Sequence, residues 1–208
     1  MTHDYQAAKA RVSRLLTRPG RVILGLAGAP GGGKSTLAAQ LAEDFADQAM
    51  VVPMDGFHLA NRELARLGRA GRKGAPDTFD ATGFVSLLLR IRHQEDQIVY
   101  APFFDRAIEE PIAGAIPVLP NVKLVIVEGN YLLCDGPWSP VRVCLDESWF
   151  VATDEAQRNL WLEARHVQFG RTPEEARAWI ESTDAPNAQV ILATRDKADW
   201  IYVPALTS

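Results

Sequence analysis

Cysteine is nearly absent from this chain: of 208 residues, only Cys134 and Cys144 carry a thiol. They lie outside any metal-ligand spacing, which excludes a disulfide framework and a zinc-finger site and leaves two thiols in small core or loop positions. Long hydrophobic runs are missing as well. No window approaches the roughly 20 apolar residues that a membrane span requires, and Met1 to Arg18 is polar and amphipathic, without the apolar centre of a targeting segment. Nor is there a surplus of positive charge. Twenty-two Lys and Arg against 26 Asp and Glu give a net charge of −4, which argues against a general affinity for nucleic acid or an anionic membrane. Any basic function must therefore be local. These absences predict a soluble cytoplasmic protein, monomer or homodimer, and its 47% hydrophobic residues suffice for one packed domain over residues 1–208.

What is present is sharper. Gly28-Ala29-Pro30-Gly31-Gly32-Gly33-Lys34-Ser35-Thr36 follows the apolar run Val22 to Ala27 and precedes Leu37-Ala38-Ala39-Gln40-Leu41. This is a phosphate-binding loop in the strand-to-helix setting it needs. Glycines permit dihedrals closed to other residues, so successive N–H groups can converge on phosphate oxygens at the positive end of the following helix. Lys34 then reaches the β and γ phosphates, and the Ser35 hydroxyl can ligate Mg²⁺. An accidental Gly-rich turn would match the four constrained positions in only about 1% of chains this long, before the strand and helix are demanded. Gly28, Gly31, Gly32, Gly33, Lys34, Ser35 and Thr36 are the expected nucleotide-binding set.

Apolar β-rich runs alternate with helical patterns along the rest of the chain, which reads as an α/β fold: three layers, a mostly parallel sheet with helices on both faces. Strands are predicted near Val22 to Ala27, Val51 to Met54, Ile98 to Ala101, Lys123 to Val127, Trp149 to Ala152 and Trp200 to Val203. Helices are predicted over Tyr5 to Leu16, Ser35 to Ala49, Ala81 to Arg92, Glu155 to Phe169, Pro173 to Glu181 and Asn187 to Thr194. Two segments interrupt the alternation. Gly56 to Asp80, rich in Arg, Lys and Gly, reads as a mobile substrate flap, with Arg72 and Asp77 as candidate acceptor contacts. Arg106 to Pro120, with three prolines, reads as an edge hairpin.

In sheets of this kind ligands sit beyond the carboxyl ends of the strands, and the residues there are acidic. Asp55 follows Val51 to Met54; it can take the proton of a substrate hydroxyl attacking the γ phosphorus and stand near the metal, or it can be a turn aspartate. Glu128 closes the run Lys123 to Val127 and can hold Mg²⁺, or be an exposed loop glutamate. Arg158 and Arg165 are seven residues apart and share a helix face, and Arg171 follows the break at Gly170. On a lid over about 158–173, Arg165 and Arg171 would neutralise the transferring phosphoryl group, the alternative being a solvated charged helix. Phe104, Asp105 and Arg106 are further candidate substrate contacts, or a core aromatic beside a structural ion pair. His58 and His93 read as structural or exposed, and His166 is open between a surface and a catalytic place. Purine contacts are expected between Asn187 and Arg195.

The loop, Met54-Asp55-Gly56-Phe57, Arg72-Lys73-Gly74-Ala75-Pro76-Asp77-Thr78-Phe79-Asp80, Val127-Glu128-Gly129 and the arginine lid together resemble the uridine kinase, pantothenate kinase and phosphoribulokinase group of P-loop kinases over most of the chain. A closer likeness is to the subgroup described as fructose-transport-system kinases. The resemblance implies Asp55 as base, with Ser35 and Glu128 supporting the metal. This chain departs from uridine kinases at Gly74, where they have an acid, and from pantothenate kinases at Phe104 and Arg106, where they have a tyrosine and a histidine. Residues and resemblance together predict an ATP- and Mg²⁺-dependent kinase acting on a hydroxyl of a small metabolite. A regulatory GTPase lacks support, because no Asn-Lys-x-Asp motif occurs. A nucleotide-binding protein without turnover is the other alternative.

Overall fold

The computed structural model describes residues 5–94 and 97–204. Helix α1 (Tyr5–Leu15) leads into strand β1 (Val22–Ala27), helix α2 (Lys34–Asp44) and strand β2 (Ala49–Pro53). A 3-10 turn at Met54–Phe57, the short helix α3 (Asn61–Arg66) and two further 3-10 turns carry the chain to helix α4 (Ala81–Arg92). Strands β3 (Val99–Asp105) and β4 (Glu110–Val118) precede β5 (Leu124–Gly129), helix α5 (Ser139–Val143) and strand β6 (Glu147–Val151). Helices α6 (Glu155–Gln168), α7 (Pro173–Trp179) and α8 (Ala185–Leu192) come after it, with a π turn at Ile180–Asp184 between the last two, and β7 (Trp200–Tyr202) comes last.

The main sheet runs β2-β5-β1-β6-β7, every pair parallel. Strands β1, β5 and β6 are buried along their whole length, the condition that lets a strand read as a continuous apolar run. Alternate residues serve opposite faces. Leu24, Leu26, Ile126 and Trp149 pack with Val12 of α1 and Leu37 and Leu41 of α2, whereas Ile23, Val125, Val127 and Phe150 pack with Phe84, Leu88 and Ile91 of α4. The three-layer α/β arrangement is thus written into a period of two. Among the described residues, no helix is long and apolar enough to cross a membrane.

Two local readings are corrected. The run at Ile98 to Ala101 is not a strand of the parallel sheet: β3 pairs antiparallel with β4, from Val99 opposite Val118 to Asp105 opposite Glu110, as a separate two-stranded unit. The hairpin expected within 106–120 is therefore its second arm. Helix α2 stops at Asp44 rather than Ala49, because Phe45 turns out of helical dihedrals and the chain needs Ala49 for the first pair of β2 with β5. The segment 56–80, read as a flap, contains α3, the 3-10 turns and a bridge between His58 and Phe79. Gly56 lets the hairpin approach, since a Cβ there would lie 2.4 Å from the Pro102 carbonyl oxygen. That contact seats β3 against the end of β2.

Candidate active site

Parallel register brings the ends of β1, β2 and β5 together: Ala27 pairs with Gly129 and Pro53 with Glu128. The phosphate-binding loop rises from this edge. Gly31 and Gly33 hold φ of 73° and 83°, dihedrals that cost L side chains about 1 kcal/mol or more. The Thr153 hydroxyl, just past β6, donates to the Gly32 carbonyl at 2.6 Å and pins the loop to the sheet. Lys34 opens α2 buried, with Nζ donating to the Ala29 carbonyl at 3.0 Å and to Asn130 Oδ1 at 2.8 Å. Burial pulls its ammonium down to about 8, against the opposing pull of Glu128 and Asp55. Ser35 Oγ donates to Glu128 Oε1 at 3.1 Å. Burial pushes the Glu128 carboxyl up, Asp55 adds to the rise, and Lys34 opposes it.

Two cavities meet here. The larger, 780 Å³, runs along Gly31 to Leu37 and is walled by Tyr5, Trp161 and Tyr202. The smaller, 480 Å³, holds Asp55 and Glu128 and is walled by Phe79, Phe104, Phe169 and Trp179. Lys34, Ser35, Arg106 and Arg165 line both. Arg106 Nη2 lies 3.0 Å from Asp55 Oδ2, so the ion pair sits where the cavities join. Burial, followed by the nearby charge of Arg106, lowers the Arg165 guanidinium. On the far wall, His58 Nδ1 lies 2.7 Å from the Asp55 carbonyl oxygen, its ring between Phe79 and Phe104. Burial depresses the His58 imidazolium. Lys73 bonds Asn61 Oδ1 at 2.7 Å, and His166 Nε2 lies 2.7 Å from Asp184 Oδ2.

Ser35 and Glu128 form a pair of hard oxygen donors of the kind Mg²⁺ takes when phosphates and waters supply its other ligands. Among the described residues no cluster of three His, Cys, Asp or Glu could hold a metal without such help. The donor set therefore fits a nucleotide-borne magnesium ion.

No family model matches the chain. It is 38% identical over 191 residues to "Putative uridine kinase C227.14" of Schizosaccharomyces pombe, a match covering 87% of this chain and 81% of that protein. It is 27% identical to a pantothenate kinase of Mycolicibacterium vanbaalenii, of which it spans 59%. A solved structure described as a putative fructose transport system kinase from Silicibacter sp. TM1040 superposes with a TM-score of 0.87 at 41% identity, covering 97% of this chain and 99% of that one. The chain belongs to the P-loop kinases of the uridine and pantothenate kinase group.

Within this P-loop kinase, most of the residues singled out from sequence line one or the other of the two cavities. Lys34, Ser35, Asp55, Phe104, Arg106, Glu128, Arg165 and Arg171 all line the smaller cavity. Gly31, Gly32, Gly33 and Thr36 line the larger. Gly28 sits behind the loop, where a Cβ would meet the Val151 carbonyl oxygen at 2.8 Å. Arg72, Asp77 and Asp105 line neither cavity. Arg72 and Arg69 both pair with Asp77, which locks the flap internally, and Asp105 accepts from Ala107 N at 2.8 Å to close the hairpin turn. Asn187 lines the smaller cavity. Sequence reasoning missed Trp161, although it lies on α6 between Arg158 and Arg165 at spacings of three and four, which a search of that helix face would have found. Asn130 gave no signal of its own, since its partner Lys34 lies 96 positions away in sequence.

Proposed function

We propose that this P-loop kinase transfers the γ-phosphoryl group of ATP to a hydroxyl of a small metabolite: a sugar, a nucleoside or a pantothenate-like alcohol. One observation carries the reading: a phosphate-loop cavity and an acid-bearing cavity share Lys34, Ser35, Arg106 and Arg165 at their junction. A nucleotide in the larger cavity would present its terminal phosphate there, and an acceptor in the smaller one would bring its hydroxyl to the same place.

Asp55 is the base. Its carboxylate is held by Arg106, and it would take the hydroxyl proton as the oxygen advances. Lys34 and Arg165 stabilise charge spread over the phosphoryl oxygens, and the loop N–H groups at the start of α2 hold the phosphates in line. Ser35 and Glu128 would hold Mg²⁺, which when bound neutralises phosphate charge. The aromatic walls exclude water that would otherwise compete with the acceptor as nucleophile.

The names of the relatives offer nucleosides, pantothenate and fructose as starting acceptors. A coupled assay of ADP release over sugars, nucleosides and pantothenate-like alcohols tests the reading. Acceptor-dependent turnover that needs Mg²⁺ is expected. ADP binding with no acceptor-stimulated turnover would favour a nucleotide-binding protein without catalysis.

A further inference from the structure

Arg171 lies in the turn between α6 and α7, its guanidinium carbon 3.9 Å from the centroid of the Trp179 ring. That guanidinium makes no ion pair and donates no hydrogen bond to any described residue, and its Nη1 is fully buried without a partner. A desolvated donor left in that state costs about 1–3 kcal/mol or more, so something outside the chain is expected to answer it. Other cations of the smaller cavity are already answered: Lys34 by Asn130, Lys73 by Asn61, and Arg106 by Asp55. Arg165 shares the lack of a hydrogen bond, but it lines both cavities, where nucleotide phosphates converge. Arg171 lines the smaller cavity alone. The nucleotide thus accounts for Arg165 and leaves Arg171 unexplained.

Resting on the kinase reading, we propose that the acceptor is a hydroxy acid whose carboxylate is received by Arg171. The guanidinium fork matches a carboxylate through two parallel hydrogen bonds, and the Trp179 face fixes the plane of that fork in advance. A carboxylate fits better than a phosphate. A phosphate dianion would meet one uncommitted guanidinium in a wall that also carries Glu109 and Asp184, whereas a single negative charge balances a single arginine. Because Nη1 is already buried and the guanidinium is seated on Trp179, little further ordering is required on binding.

The test uses the full chain loaded with a non-hydrolysable ATP analogue and Mg²⁺, so that anions cannot occupy the phosphate loop. Matched pairs are titrated calorimetrically: glycerate against glycerol, gluconate against glucitol, pantothenate against pantothenol, with fructose 6-phosphate as the phosphate probe. At least one carboxylate is expected to bind about tenfold or more tightly than its alcohol, and Arg171→Gln should weaken it by a similar factor at unchanged analogue affinity. Trp179→Leu, which removes the platform, should weaken the same ligand. Alcohols binding as well as acids, binding of the phosphate probe alone, or no binding of any acid overturns the proposal. A carboxylate indifferent to Arg171→Gln, or a loss of analogue affinity in that variant, overturns it too. Failure of the underlying kinase reading looks different: the wild-type chain would not bind the analogue at all, or Lys34→Ala would bind it equally well.

Discussion

At the scale of the residue, Asp55 and Arg106 form the most consequential pair in the molecule. They come from the end of β2 and the hairpin, 51 positions apart, and meet at 3.0 Å where the two cavities join. Asp55→Asn preserves shape and a hydrogen-bonding oxygen for Arg106 but cannot accept a proton. It should lower kcat by about 10²-fold or more while the dissociation constant for ADP stays nearly constant, as stopped-flow binding and steady-state assays would read. A fall in ADP affinity at constant kcat would make Asp55 a binding residue. Arg165→Ala should lower kcat more than ADP affinity, because its partner charge is displayed fully only while the γ phosphoryl group is in transit. Both members of the Asp55–Arg106 pair were legible singly, as a strand-end acid and as a charged residue after an aromatic run; their contact was not, since no local pattern encodes a hydrogen bond across 51 residues. The same limit explains Arg72 and Asp77. Five positions apart in a Gly-rich flap, they read as ligands for something external, and the structure pairs them with each other.

At the scale of the element, the phosphate loop and α6 are one mechanical unit. A Cβ at Gly31 would lie 2.4 Å from Leu162 Cγ and 3.1 Å from the Arg158 carbonyl oxygen, so the loop is packed against the helix that carries Arg165. Gly31→Ala should therefore do two things at once: strain a φ of 73° and push α6 away from the loop. Roughly 1–2 kcal/mol of strain predicts ADP affinity weakened about tenfold, a lower Tm, and kcat reduced with Arg165 displaced. Loss of Tm with ADP affinity and kcat intact would mean that the loop and helix are not coupled. The bounds of β1 and α4 were readable because an uninterrupted apolar run and Asp80, which caps α4 by accepting from Gly83 N at 2.8 Å, leave clear marks. Helices α3 and α5 were not readable, being only six and five residues long and too short to show a period. Strand β3 was readable as a strand but not as part of a separate hairpin, because layer membership is decided by packing of Val99, Ala101 and Val118 against α4 rather than by its own sequence.

At the scale of the whole molecule, the two thiols report on global integrity. Cys134 and Cys144 are both buried, and burial pushes the Cys134 thiol up to about 11. Alkylation of the native protein at about pH 8 should thus be slow and should accelerate with unfolding; rapid modification of both thiols below the unfolding transition would contradict the packing. Stability is linked to the same ionisation. An ordinary thiol ionises near 9.0, so between that value and about 11 the unfolded chain holds fewer protons than the folded one, and stability falls as pH rises through this window.

The junction of the cavities also dictates an order of events in time. If Lys34, Ser35, Arg106 and Arg165 serve donor and acceptor together, both substrates must be on the protein before any bond changes, and the phosphoryl group crosses once. Initial-velocity plots should then intersect rather than run parallel, and a γ-phosphate made chiral with oxygen isotopes and sulfur should emerge with inverted configuration. Two histidines, His58 and His166, line the smaller cavity, each with one ring nitrogen held, by the Asp55 carbonyl and by Asp184. Parallel plots or retained configuration would mean that one of them carries the phosphoryl group as a covalent relay through its other ring nitrogen.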